Sequence, residues 1–181
     1  MFKISNVKIS IKCAKLSLDN VSSIANANNI TNSIYTNFIV LKSKFTYIIF
    51  KHKNNTGKEN HINITKIKNL FDVNEAVTFF TSLFKCAFTK ITLDNISATS
   101  VLGKYIELQN ILLNIPYFEI ELKRKNINLK SVKYNNEIFP GLFLKFDIGT
   151  LIIFHSGKIV IVGCKKENDI ECLVKNIHAL I

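Results

Sequence analysis

The sequence predicts an α+β fold made of two tandem repeats, with antiparallel strands forming one curved sheet and helices confined to one side of it. Three observations predict it. Paired segments recur at matched spacing, alternation of the β type dominates them, and each half ends in an amphipathic helix. The first repeat is placed at residues 1–88 and the second at residues 89–181, together one compact domain.

The repeats are read in chain order. Ile4-Ser5-Asn6-Val7 and Leu93-Asp94-Asn95-Ile96 each set an asparagine inside an alternating strand. Tyr35 to Phe50 and Phe139 to Phe154 span the same 15 residues, and both close on an apolar triplet followed by Phe. Ile62 to Lys68 and Ile159 to Lys165 are strands that run into a basic residue. Residues 70–84 place Val73, Val77, Phe80 and Phe84 on one helical face, with Asp72 and Glu75 at capping-box spacing. Residues 168–181 do the same with Ile170, Leu173, Val174, Ile177 and Ile181, capped by Asn168 and Glu171. With short helices at 18–27 and 106–113, each half reads strand, short helix, three strands, long helix. Residues 51–61 and 116–130 stand out as insertions of one half relative to the other. Helices on one side leave the opposite sheet face open, and an open face is polar or needs a partner.

Composition narrows the partner. The 24 Lys and Arg against 13 Asp and Glu give a net charge of +11, which favours a polyanion such as nucleic acid. Abundant Asn, Lys and Ile also fit an AT-rich genome, such as that of a DNA virus or a divergent unicellular eukaryote. Cys13, Cys86, Cys164 and Cys172 form no C-x-x-C pair and read as reduced thiols, so no metal site and no cofactor are expected. Residues 1–20 carry no apolar signal-like core, and no apolar run reaches about 18 residues, so a soluble intracellular protein without membrane contact is expected. His52, His61, His155 and His178 are scattered, and Asp94 and Asp147 have no carboxylate partner, so no catalytic constellation is expected.

Several motifs together carry a family resemblance. They are Phe139-Pro140-Gly141-Leu142, Phe154-His155-Ser156-Gly157-Lys158, Gly163-Cys164-Lys165, Ile106-Glu107-Leu108 and Leu16-Ser17-Leu18. In this order the chain resembles the TATA-box-binding protein family from residue 3 to residue 181. The resemblance implies a saddle-shaped sheet that grips the minor groove of AT-rich double-stranded DNA. It implies that Asn6 and Asn95 donate to base acceptors near the centre of the site, where A·T pairs show only acceptors. It implies, by this family's own kinking mechanism, that Tyr35, Phe50, Phe139 and Phe154 wedge between base steps. Thr65 and Val162 fall at the family's threonine positions, and Lys42, Lys68, Lys145, Lys158 and Lys165 are placed on phosphates. The implied protein is a nuclear transcription initiation factor, or one acting at a site of viral transcription. It would work as a monomer on DNA and recruit general transcription factors or RNA polymerase subunits through helices 70–84 and 168–181 and Glu137.

The sequence also departs from the family pattern. Tyr35 and Val162 replace Phe and Thr, and Lys8 and Ser97 replace small apolar residues two positions after each asparagine. Those four substitutions motivate an alternative: a saddle-shaped protein-interaction module of a transcription assembly that has lost TATA binding.

Overall fold

The computed structural model describes residues 1–14, 16–51 and 59–180. Two compact units emerge, one of Asn6–Asp94 and one of Met1–Ser5 with Asn95–Ile181. They are called here the amino-terminal and carboxy-terminal units, and each is described by itself.

In the amino-terminal unit, β1 (Phe2–Ala14) leads through a 3-10 turn (Leu18–Asn20) into α1 (Val21–Ala27). Four strands follow: β2 (Thr31–Ile34), β3 (Phe38–Lys42), β4 (Thr46–Phe50) and β5 (Asn60–Ile67). The unit closes with α2 (Asp72–Phe84). The strands lie in the order β2-β3-β4-β5-β1, all paired antiparallel. Strand β6 (Ala87–Val101) belongs to the amino-terminal unit as far as Asp94 and to the carboxy-terminal unit from Asn95, and the latter repeats the plan with α3 (Leu108–Arg124), β7 (Leu129–Asn135), β8 (Phe139–Phe146), β9 (Thr150–Phe154), β10 (Lys158–Cys164) and α4 (Glu167–Leu180). Its order is β6-β10-β9-β8-β7.

Alternation explains why one face of each sheet is covered. On β4, Tyr47 and Ile49 are buried while Thr46, Ile48 and Phe50 are half-buried. On β9, Leu151 and Ile153 are buried while Thr150, Ile152 and Phe154 are not. A period of two sends every second side chain to the helices and leaves its neighbours on the open face. Burying each Ile or Leu this way contributes about 1.5–3 kcal/mol before the entropy of ordering is subtracted. Tyr47 joins the layers: its ring lies 5.2 Å from Phe80 and its hydroxyl donates to the Ala76 carbonyl at 3.1 Å. In the other unit Ile170, Leu173, Val174 and Ile177 form the buried stripe of α4. The buried Cys164 thiol is pushed up to about 11, first by burial and then by the charge of Asp169, so at neutral pH it is an inert thiol.

The structure corrects three details. Each half has four strands after its short helix, not three, because β2 and β7 are polar strands with no apolar alternation to announce them. The four-residue length of β2 and the lysines Lys130 and Lys133 of β7 suit sheet edges that must not pair further. The second helix does not stop at residue 113. It continues through Pro116 to Arg124 and absorbs most of the supposed insertion at 116–130. Proline signals a helix break, but Phe118 and Leu122, one turn apart and buried, hold the segment on the core with Leu108 and Ile111. The caps also differ. Asn69, not Asp72, accepts the Asp72 backbone N–H at 2.9 Å, and its amide donates back to the Asp72 carboxylate. For α4, Asp169 rather than Glu171 reaches back, to the Lys166 N–H at 3.1 Å. His52, most of the 51–61 insertion and Ile181 lie outside the described residues.

The cap geometry gives a stability prediction. Asn69→Ala lowers unfolding free energy by about 1 kcal/mol in urea titration with an unchanged slope. Glu75→Ala, which removes an exposed ion pair with Lys44, moves the midpoint less than Asn69→Ala does.

Candidate nucleic-acid interface

The open face of each unit is organised by a strand bulge. Between the register pairs Val7 with Ile67 and Ile9 with Ile64, β5 carries one residue more than β1. Between Ile161 with Ala98 and Cys164 with Ile96, β10 carries one residue more than β6. The extra residue turns the backbone left-handed: Lys66 has φ 66° and Gly163 φ 84°. A bulge takes one N–H out of the ladder, and that N–H must find another acceptor. In both units an asparagine supplies it. The Asn6 Oδ1 accepts from the Lys66 N–H at 2.8 Å, and the Asn95 Oδ1 accepts from the Gly163 N–H at 2.7 Å.

This fixes the chemistry that each amide presents. The carbonyl end is spent on the backbone, so the Nδ2 donors remain for the open face. One Asn95 donor rests on the Ser97 hydroxyl at 3.2 Å, and an amide nitrogen has two. The remaining donors point the kind of group that a row of acceptors recognises. Thr65 and Val162 sit at matched positions immediately before the bulge residue, both half-buried, and face Thr46 and Thr150 on the next strand.

The aromatic residues form one cluster per unit. In the carboxy-terminal unit the Phe139 ring lies 5.8 Å from Phe154 and 5.1 Å from Phe143. Its seat is Gly141, which faces Phe154 across the ladder. A β-carbon there would fall 2.6 Å from the Phe139 ring and 2.8 Å from Ile152 Cγ2. In the amino-terminal unit Phe38 occupies the register position opposite Phe50, with ring centroids 6.3 Å apart. Tyr35 is stacked on the outer side of Phe38 at 4.6 Å, and its hydroxyl-bearing ring is about half exposed. His61 covers the far side of Phe50 at 5.6 Å.

The expected aromatic pair of the first half therefore changes. Tyr35 was matched to Phe139 by counting 15 residues back from Phe50 and Phe154. The pairs nearest the turn are Lys42 with Thr46, four apart, and Lys145 with Thr150, five apart, so the count slips by one. Phe38 faces Phe50 directly, and Tyr35 adds a third ring. Gly141 against Phe38 is the only sign of this in the sequence.

Lys42 and Lys145 are exposed and occupy equivalent positions on the second strand of each pair, and Lys68, Lys158 and Lys165 are also exposed. Lys8 behaves differently, lying 3.9 Å from the Asp94 carboxylate. His155 is half-buried between the Ile106 carbonyl, 2.9 Å away, and the Tyr134 hydroxyl, 3.0 Å away. Its ring stacks on Tyr105. Among the described residues no three His, Cys, Asp or Glu side chains converge as a metal site would require.

Comparison with known proteins follows this geometry. A family profile described as transcription factor TFIID (or TATA-binding protein, TBP) matches residues 90–181. A TATA-box-binding protein of Thermococcus celer is 36% identical over 79 residues, 42% of this chain and 42% of its own length. One from Pyrobaculum neutrophilum is 29% identical over 140 residues, 76% of this chain and 63% of its own. The chain thus spans less than two thirds of either relative. A solved structure titled Methanococcus jannaschii TBP superposes with TM-score 0.71 at 25% identity, over 99% of this chain and 97% of that one. The fold expected from the repeats is the fold found.

Gly141 yields a prediction that separates the two aromatic clusters. Gly141→Ala forces the Phe139 ring off its seat and costs about 1–3 kcal/mol of stability by overpacking. A shift of the Phe139 ring resonances, with those of Phe38 unmoved, is the expected NMR signature.

Proposed function

The chain belongs to the family of transcription factor TFIID, or TATA-binding protein, and from that premise we propose that it binds AT-rich promoter DNA through the minor groove. The observation that carries this reading is the pair of asparagine staples. Each turns an amide into an oriented donor, and A·T pairs display only acceptors in that groove. The aromatic clusters supply wedges. Phe139 over Gly141 and Phe154, and Phe38 with Phe50, are apolar rings held together at the end of an open sheet face, the form of group that unstacks a base step. Lys42, Lys68, Lys145, Lys158 and Lys165 give the phosphate contacts that position the protein without reading sequence.

On this reading the protein acts as a monomer on DNA, in the nucleus or at a site of viral transcription. It turns over no substrate. Helices α2 and α4 recruit general transcription factors or RNA polymerase subunits. The protein-module alternative is not favoured: its motive at Lys8 is met by the ion pair with Asp94, and both asparagine staples are intact.

Two predictions test the reading. Asn6→Asp and Asn95→Asp keep an acceptor for the bulge N–H but exchange the donors for a carboxylate. Each leaves the melting temperature within a few degrees and weakens AT-rich duplex binding by about tenfold or more. Equal binding by wild type and both variants would remove the amides from the interface. Energy transfer across a doubly labelled AT-rich duplex reports bending by wild type, lost in the double variant Phe139→Ala with Phe154→Ala. Affinity falls with salt on a log–log slope of about −4.5 if the five lysines meet phosphates. A folded protein with no bending and a flat salt response would point to a protein partner.

A further inference from the structure

The open faces of the two units differ at matched register positions. On β5, His61, Asn63 and Thr65 stand where β10 has Lys158, Val160 and Val162. Beside them Ser10 faces Asn63, where Thr99 faces Val160. The units thus differ most at two matched positions, Val160 and Val162 against Asn63 and Thr65.

Asn63 belongs to a connected network. The Asn63 Oδ1 lies 3.0 Å from His61 Nε2 and 3.2 Å from the Ser10 hydroxyl. The Ser10 hydroxyl also hydrogen-bonds the Asp94 carboxylate. Lys8 Nζ lies 3.9 Å from the same carboxylate oxygen, and the Asp94 side chain is 26% exposed. A hydroxyl has one proton, so Ser10 serves Asp94 while His61 serves Asn63. Asp94 is thereby held beside Ser10, an open-face residue of β1, with Lys8 offsetting its charge.

A carboxylate accepts and never donates. Against an A·T pair it would meet the acceptors of adenine N3 and thymine O2, giving repulsion and lost hydration. The one donor in the minor groove is the guanine 2-amino group. We propose that Asp94 accepts a hydrogen bond from a guanine 2-amino group, so that the amino-terminal unit takes a G·C pair at one position while the carboxy-terminal unit takes A·T. Ser10 and Lys8 are positioning residues for it, and Asn63 closes the network. The inference rests on the proposed minor-groove binding, and it makes the preferred site asymmetric.

Inosine tests it, because an I·C pair is a G·C pair without the 2-amino group. The unaltered chain is titrated against labelled duplexes in which each position of an AT-rich site is changed in turn to G·C or to I·C. Expected is one position at which G·C binds on the order of tenfold tighter than I·C. At the other positions G·C is no better than I·C. Asp94→Ala should abolish that single preference while still bending the AT-rich duplex. Binding in which G·C is nowhere better than I·C overturns the inference and leaves AT recognition standing, as does a preference that survives Asp94→Ala. Absence of bending on every duplex overturns both.

Discussion

The hydrogen bond from a bulge N–H to an asparagine carboxamide organises both halves of this protein. The bulge at Lys66 or Gly163 bends the strand and orphans one backbone donor. Both bulge residues are exposed, and the freed N–H must still find an acceptor. Asn6 and Asn95 supply it, and in doing so their amides lose the freedom to flip. On the proposed function, folding and recognition are thus served by opposite ends of one side chain. An aspartate would serve the first and fail the second, and an alanine would fail both.

The two units solve the same problem with different backbones. Gly163 takes its left-handed conformation without steric cost, whereas Lys66 holds φ 66° with a side chain attached, a strain of about 1–2 kcal/mol. Its ammonium reaches the Ser43 carbonyl at 3.4 Å. The aromatic clusters show the same divergence. Gly141 leaves room that Phe139 fills from two residues away, while Phe38 fills the equivalent room itself and passes the outer place to Tyr35. The tyrosine hydroxyl then stays at the exposed rim rather than inside the ring pair.

This divergence explains what could be read from the sequence. The buried faces were legible because Tyr47 and Ile49, or Leu151 and Ile153, alternate strictly with their open-face neighbours, and because α2 and α4 carry apolar residues at helical period. The asparagines were legible because each sits in an alternating segment and the two segments match between the halves. Register was less so. A difference of one residue in a turn moves an aromatic from one place to the next, and counting from Phe50 and Phe154 cannot detect it. Strand β2 was hidden because it is short and polar, and β7 because lysines break up its apolar residues, both features of sheet edges. The continuation of α3 was hidden because local proline chemistry was outweighed by the burial of Phe118 and Leu122, which is tertiary information. The network of Ser10, Asn63 and Asp94 joins residues as far as 84 positions apart, and no local pattern marks it.

An internal repeat whose halves were identical would present the same floor twice and bind a duplex equally well in either direction. Here Val160 and Val162 stand in one unit where the other has Asn63 and Thr65, and Asn63 belongs to a network that reaches the Asp94 carboxylate. Apolar floors discriminate by excluding the guanine amino group, and polar floors discriminate by pairing with it. On the proposed function these are opposite preferences at the two ends of one site. The direction in which the protein lies on DNA is then set by the groove chemistry of its own sheet, before any partner joins it. Lys42 and Lys145 cannot do this on the proposed function, because they are matched between the units and a phosphate looks the same from either direction.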